Sequence, residues 1–567
     1  MEKKKITGAE ALLFAFKEEK VDTIFGYPGG AIIPVFDALY THKERLAFHH
    51  ILTRHEQGAA HAAQGYARVS GKVGVVIVTS GPAAANIVTG VADAMLDSTP
   101  LVVVTGQTSV AALGSDAFQE TDVLGITQAI TKWSYQIRRA EDISWAVARA
   151  FYIAREGRPG PVVLDLSKDA QNQLIEFSYE KCRYIRSYQP EPELNPDKIA
   201  RAAQLINRAK KPFAVIGQGV LLGRAEQELF NFLNKADIPA ASTLLGLDVM
   251  PVDYRLNMGM VGMHGNVAPN KKTNECDVLI AIGMRFSDRV TGKLSEYAPQ
   301  AKVIHFDIDP SEINKNVQVE VGVLGNVKKS LPAITELLDK ADHKEWIESF
   351  EEHKLCEYRE VVSKDLYPNN GILTMAEVVK CLSDNTGENT IVVTDVGQNQ
   401  ITAARYFSAY NTRKIVTSGG LGTMGFGLPA GVGAALGSPE SKVFVISGDG
   451  GIQMTIQELG TIMEYKIPVK VIILNNNYLG MVRQWQELFY EERYSSTSIQ
   501  NPDFIALAAA YGIKGRKVEQ RQDLVEAVRE MIAADSAYVL EVMVEKKGIV
   551  YPMVPAGKCI TEIMLKS

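Results

Sequence analysis

No run of apolar residues reaches the roughly 18 that a membrane-spanning helix needs, so no membrane span is expected. An excess of positive charge is missing too. The net charge is -6 with 22% charged residues, which gives no basic field for nucleic acid or an anionic bilayer. The five cysteines, Cys182, Cys276, Cys356, Cys381 and Cys559, form no CxxC pair and no disulfide framework, which points to the reducing cytoplasm. Met1-Glu2-Lys3-Lys4-Lys5 leads into apolar residues broken by Glu10 and Lys17, unlike a secretory leader. At 567 residues, three or four domains are expected, each able to bury its own core.

What is present is one unit around which the rest is arranged. Residues 442–447 and 469–474 are apolar, β-branched runs, and between them Ile456, Leu459, Ile462 and Met463 recur at helical spacing. This is the pattern of a strand–helix–strand unit with parallel strands. Gly448-Asp449-Gly450-Gly451 closes the first run and Asn475-Asn476-Asn477 the second. Asp449 and Asn476 therefore fall beyond the carboxyl ends of neighbouring strands, where open α/β sheets bind ligands. One carboxylate and one amide oxygen joined by glycine turns suit Mg²⁺ carrying a diphosphate. The glycines admit phosphate oxygens close to the backbone, and no Walker lysine is present.

The chain on either side predicts a doubly wound parallel sheet. Thr7 and Glu10 form a capping box, opening a helix that should end near Lys20. Strands are predicted from Thr23 and at 46–52, 73–79, 101–105 and 162–166. The opening returns at Thr374 and Glu377: Thr7 precedes Thr23 by 16 residues, as Thr374 precedes Thr390. Two similar sheets flanking a middle region account for this. A Pro/Glu-rich stretch at 187–196 reads as a linker, followed by strands at 213–216, 278–282 and 303–306 and a charged helical segment at 339–364. Gly217-Gln218-Gly219 after a strand hints at a nucleotide fold, but Gly223 is off the GxGxxG register. The fold class expected is α/β, with three doubly wound parallel-sheet domains at 1–185, 190–345 and 370–545, then a tail at 546–567.

Gly-Asp-Gly followed 27 residues later by Asn resembles the thiamine diphosphate motif. Phe25-Gly26-Tyr27-Pro28-Gly29-Gly30, Arg54-His55-Glu56-Gln57-Gly58, Ser80-Gly81-Pro82 and the glycine-rich run 418–429 are similar to thiamine diphosphate decarboxylases and carboligases in general. Ala117-Phe118-Gln119-Glu120, residues 284–292 and Leu479-Gly480-Met481-Val482-Arg483-Gln484-Trp485 narrow the resemblance to catalytic subunits of the FAD-containing acetohydroxyacid synthase family. Ser287 departs from that pattern, where Asp is usual; the flanking Arg285 and Arg289 are kept.

The resemblance implies a role for each matching position. Asp449, Asn476 and the Tyr478 carbonyl would hold the metal, with Gln398, Gly448, Gly450 and Gly451 around the diphosphate. Glu56 would share a proton with N1′ of the aminopyrimidine; in an apolar cleft, burial would raise its pKa above about 4.3. Met424 would prop the bent cofactor, and Gly30 would offer a backbone N–H near the reacting centre. Gln119 with Phe118 would shape the pocket, and Lys168 would line its entrance. Met481 and Trp485 would contact substrate. For FAD the matching positions are Arg158, His264, Arg285, Arg289, Asp307 and Asp309.

The plainer readings are a helix-dipole residue for Glu56, a core methionine for Met424, a solvated loop polar for Gln119, a solvated charge for Lys168 and a core aromatic for Trp485. Substrates implied are pyruvate and 2-oxobutyrate, in a homodimer or tetramer with a separate small regulatory subunit. A pyruvate oxidase-like enzyme would share the cofactors but not Trp485 or the 285–292 segment in this form. A scaffold that had lost activity would not need Glu56, Asp449 and Asn476 together.

Overall fold

The computed structural model describes residues 5–369, 371–408 and 414–566. Residues 1–4, where a leader was looked for, and Asn370, at the second predicted boundary, lie outside the described residues.

Three six-stranded sheets carry the chain, and every strand pair within them is parallel. The first comprises Thr23–Tyr27, His49–Leu52, Gly74–Val78, Leu101–Gln107, Trp133–Ile137 and Pro161–Ser167. Numbered along the chain, its spatial order is 2-1-3-4-6-5. The third sheet, with Thr390–Thr394, Ile415–Thr417, Lys442–Gly448, Lys470–Asn475, Lys514–Val518 and Tyr538–Met543, has the same order. The repeated capping boxes are the sequence trace of that likeness: Thr7–Glu10 and Thr374–Glu377 each open a helix with both reciprocal bonds made. The middle sheet differs. From Pro212–Ile216, Ala240–Ser242, Asn257–Met260, Val278–Ile282, Lys302–Asp307 and Val321–Leu324 it builds 3-2-1-4-5-6, the dinucleotide-fold order.

Central strands such as Gly74–Val78 and Val278–Ile282 are buried along their whole length between apolar clusters on both faces. That is why they read as unbroken apolar runs. Edge strands were harder to see: Ile415–Thr417 has three residues, and Lys514–Val518 is charged and half exposed, as edges that resist mispairing tend to be. The strand expected at 46–52 is shorter than predicted. Leu46 ends a four-residue helix, Lys43–Leu46, because Ala47 turns left-handed at φ 53°, and pairing starts at His49. Residues 187–196 carry no helix or strand up to the cap of Pro196–Arg208. No helix among the described residues is long and apolar enough to cross a membrane.

The first and third sheets meet through two helices, Glu56–Ser70 and Gly427–Gly437. They lie backbone against backbone. A Cβ on Gly433 would stand 1.7 Å from the Ala62 carbonyl oxygen, and one on Gly65 would stand 2.0 Å from that of Ala430. Alanine in a helix interior normally gains about 0.5–1 kcal/mol over glycine. Here the sign inverts. Gly433→Ala is expected to cost about 1–3 kcal/mol and lower the thermal midpoint by about 2–12 °C. Gly387→Ala, with nothing within 4 Å of its added Cβ, should leave the midpoint in place in the same melting experiment.

Candidate active site

Asp449 and Asn476 stand where adjacent strands Lys442–Gly448 and Lys470–Asn475 end, and both are buried. Asp449 Oδ2 accepts from Asn501 Nδ2 at 2.7 Å; the same nitrogen lies 2.9 Å from Asn475 Oδ1. Burial pushes the Asp449 carboxyl above its ordinary range, and the Asn501 bond opposes that. Asn476 Oδ1 accepts from the Tyr478 N–H, while its Nδ2 donates to Gln398 Oε1 at 3.4 Å. Between them Asn477 takes φ 57°, which folds the chain into a tight turn around the asparagine. Among the described residues no cluster of three or more His, Cys, Asp or Glu forms. A metal here would be held by one carboxylate and neutral oxygens, a donor set for a hard cation.

The glycines beside it keep space open. A Cβ on Gly450 would come within 2.6 Å of Leu479 and 3.8 Å of the Met424 methyl; one on Gly451 would meet Asp395 at 2.4 Å. Asp395, fully buried, accepts from the N–H groups of Gly425 and Gly427 and so ties the Met424 loop to the end of the neighbouring strand. A cradle that a side chain would fill, beside an oxygen donor set, fits Mg²⁺ and a diphosphate.

Glu56 is the first residue of its helix, with His55 as the cap, and its Oε2 accepts from Asn86 Nδ2 at 2.9 Å. It is half-buried. Glu458 of the third domain accepts from the Arg54 N–H at 3.0 Å and fills the place a side chain on Gly58 would need. Gly30 is exposed, with open space around it. Phe118 is 89% exposed, next to Gln119, whose φ is 58°. Lys168 opens a short helix with its side chain in solvent. In the single chain Gly30, Phe118 and Lys168 are exposed, Glu56 and Gln119 are half-buried, and among the described residues no hydrogen bond joins any of them to Asp449.

A cavity of about 670 Å³ opens at the order reversal of the middle sheet, in the size range of ligand clefts. Arg158, His264, Arg285, Arg289 and Asp307 line it, and so do Met481 and Trp485 from the helix Gly480–Phe489. Asp309 is reached through Arg158, whose Nη1 bonds Asp309 at 3.2 Å and Glu312 at 3.1 Å. The strand Lys302–Asp307 ends at Asp307, and Asp309 caps a 3-10 turn. Burial lowers the pKa of Arg285 and brings that of His264 to about 4. Gly217 and Gly219 gain a meaning the broken fingerprint did not give them. A Cβ on either would strike Gly283 across the crevice, at 2.2 and 2.6 Å. Close-set strand ends, an arginine pair and Asp307 fit a dinucleotide. Trp485 is half-buried, its ring 5.0 Å from that of Phe489, so it is not a core residue.

Comparison with known proteins identifies the family. Three family descriptions match: "Thiamine pyrophosphate enzyme, N-terminal TPP binding domain" over residues 6–126, the central domain over 199–334 and the C-terminal TPP binding domain over 395–542. The chain is 44% identical to the probable acetolactate synthase large subunit of Methanococcus aeolicus, over 99% of this chain and 95% of that one. The chain belongs to the acetolactate synthase large-subunit family. It is also 43% identical to the isozyme 2 large subunit of Escherichia coli, over 99% and 100% of the two chains. With the acetolactate synthase large subunit of Lactococcus lactis it shares 42% identity, over 98% and 95%.

Asn501, Asn86 and Asp395 escaped the sequence reading. Asn501 sits 25 residues beyond Asn476, just before Pro502, a spacing no local rule connects to Asp449. Removing it tests the metal reading. Asn501→Ala takes away a bond that lowers the Asp449 pKa, so the carboxylate needed for the metal is lost at higher pH as pH falls. A hydrogen bond to a charged group is worth about 1.5–3 kcal/mol, so the midpoint of Mg²⁺ binding against pH should rise by about one to two units. An unmoved midpoint would remove Asn501 from the site.

Proposed function

We propose that this chain condenses two pyruvates to 2-acetolactate with loss of CO₂, and pyruvate with 2-oxobutyrate to 2-aceto-2-hydroxybutyrate, using thiamine diphosphate, Mg²⁺ and FAD. One observation carries the reading: Met481 and Trp485, a few residues beyond Asn476, line the same cavity as Arg158, His264 and Arg285. An aromatic that would face substrate thereby lies on the rim of the dinucleotide cleft, a few residues along the chain from Asn476.

Asp449, Asn476 and the Tyr478 carbonyl would hold Mg²⁺, with the Gly448–Gly451 backbone at the diphosphate and Met424 under the bend. Thiamine diphosphate supplies the electron sink that a 2-keto acid needs when it loses CO₂. Glu56 would hold a proton at N1′ of the aminopyrimidine, in hydrogen-bond reach of Asn86. The C1–C2 bond of one pyruvate breaks, CO₂ leaves, and its C2 joins the carbonyl carbon of the second keto acid, whose oxygen takes up a proton. No net electrons pass to an acceptor, so FAD would serve to hold the cleft in shape. The indole of Trp485 would favour the larger acceptor, since one methylene in an apolar pocket is worth about 1–3 kcal/mol.

The site would be completed by a second copy, in a homodimer or tetramer, since the hydrogen-bond partners of Glu56 and Asp449 in the single chain are Asn86 and Asn501 and not each other. The relatives' names, large subunit, support a separate smaller regulatory partner. Five free cysteines suit a cytoplasmic home.

Incubation with pyruvate, Mg²⁺, thiamine diphosphate and FAD should yield acetolactate, and Glu56→Gln should lower the rate about 10²–10⁴-fold. Hydrogen peroxide or acetyl phosphate in its place would make the chain an oxidase; no product would make it a scaffold.

A further inference from the structure

The helix Gln398–Tyr406 runs between the two ligand regions. At about 1.5 Å per residue it spans about 13 Å. At its start Gln398 accepts from Asn476 and donates to Gln484 Oε1 at 2.9 Å and the Gly548 carbonyl at 2.8 Å. Along its length Gln400 and Ile401 line the dinucleotide cleft. At its end stands Arg405, which is 3% exposed. Arg405 Nη2 pairs with Glu357 at 2.5 Å, and Nη1 reaches the His264 carbonyl at 3.4 Å. Glu357, itself 5% exposed, also accepts from the Val267 N–H at 2.6 Å and Asn266 Nδ2 at 2.8 Å. One buried ion pair thus fastens the far end of the Gln398 helix to the loop that carries His264.

One further contact makes this a clamp. Tyr406 donates to Asp365, and Asp365 and Glu357 lie on the same connecting segment. Between them Tyr358–Val362 forms a π-helical turn, a wider turn found mostly at functional positions. With two carboxylates eight positions apart, Glu357 and Asp365, the connecting segment grips the adjacent residues Arg405 and Tyr406 at the helix end. A buried ion pair of this kind is a weak source of stability, since desolvation offsets its attraction. Its cost makes better sense as a device that fixes geometry.

We propose that Glu357 and Arg405 are positioning residues that couple the His264 cleft to the Asp449–Asn476 site, so that a dinucleotide in the first tightens binding of a metal diphosphate in the second. This rests on the functional reading above. A ligand that orders the His264 loop also orders Arg405, hence the helix, hence Gln398 against Asn476. By linkage the effect is reciprocal.

The test measures Mg²⁺–thiamine diphosphate affinity by titration calorimetry on the full chain, with and without FAD. Wild-type protein should bind the diphosphate at least about fivefold more tightly with FAD present, within the usual span of coupling between sites. In Glu357→Gln, and in the near-isosteric double variant Glu357→Met with Arg405→Met, the ratio should fall to about one while each ligand alone still binds. The double variant leaves no unpaired buried charge and guards against a folding defect. A purely structural role would weaken both affinities alike and leave the ratio unchanged. Variants that keep the wild-type ratio, or a wild-type ratio of one with both ligands bound, overturn the inference alone. A wild-type chain that takes up no FAD contradicts the functional reading, and the inference with it.

Discussion

The contact between the helices Glu56–Ser70 and Gly427–Gly437 is the constraint on which the other placements depend. Their backbones touch because glycine or alanine occupies each crossing point, and no side chain stands between them. Polar contacts lock the same seam. Arg68 pairs with Asp97 at 2.7 Å, and Asp97 also accepts from the N–H groups of Gly419 and Gly420. Burial raises the Asp97 pKa, and the nearby Arg68 charge opposes this. Ser418 and Thr423 both donate to Asp93, one helical turn before Asp97. The glycine-rich run 418–425 is therefore held from the first domain at one end and by Asp395 at the other. Met424 and the rim of the dinucleotide cleft inherit their positions from this seam.

Many of the buried polar groups in this protein hold loops. Asp395, Asp97, Glu458 and Glu357 each accept from backbone N–H groups at strand or helix ends. Each fixes a turn that carries a ligand-facing residue. Strands such as Gly74–Val78 and Val278–Ile282 are apolar throughout and need no such help, while polar groups within a sheet sit toward strand ends, as where Asp165 accepts from Thr105, Gln107 and Gln136. The division lets three parallel sheets of similar construction present three different surfaces at their strand ends.

Much of this was legible in the residues themselves. The central strands, both capping boxes and the Asp449–Asn476 pair follow from local rules of periodicity and turn chemistry, and the structure places them accordingly. Gly217-Gln218-Gly219 pointed to the right crevice with the wrong register, since its task is backbone approach to Gly283 and not the fingerprint spacing. Short or charged edge strands gave no period to read. Asn501, Asn86, Glu357 and Arg405 act across 30 to 141 residues of chain, which no window over the sequence can join. Trp485, which the resemblance implies would contact substrate, lies on the helix Gly480–Phe489 and lines the dinucleotide cleft.

The central claim is that the proposed site is divided, with Glu56 from one copy completing Asp449 and Asn476 of another. Mixing Glu56→Gln protein with Asp449→Ala protein, each inactive alone, tests it most directly once subunit exchange has been verified by mass. In a mixed dimer one site then holds both intact residues, and equal mixing should restore about a quarter of wild-type acetolactate formation. No recovery after full exchange would contradict the account and require a site built within a single chain.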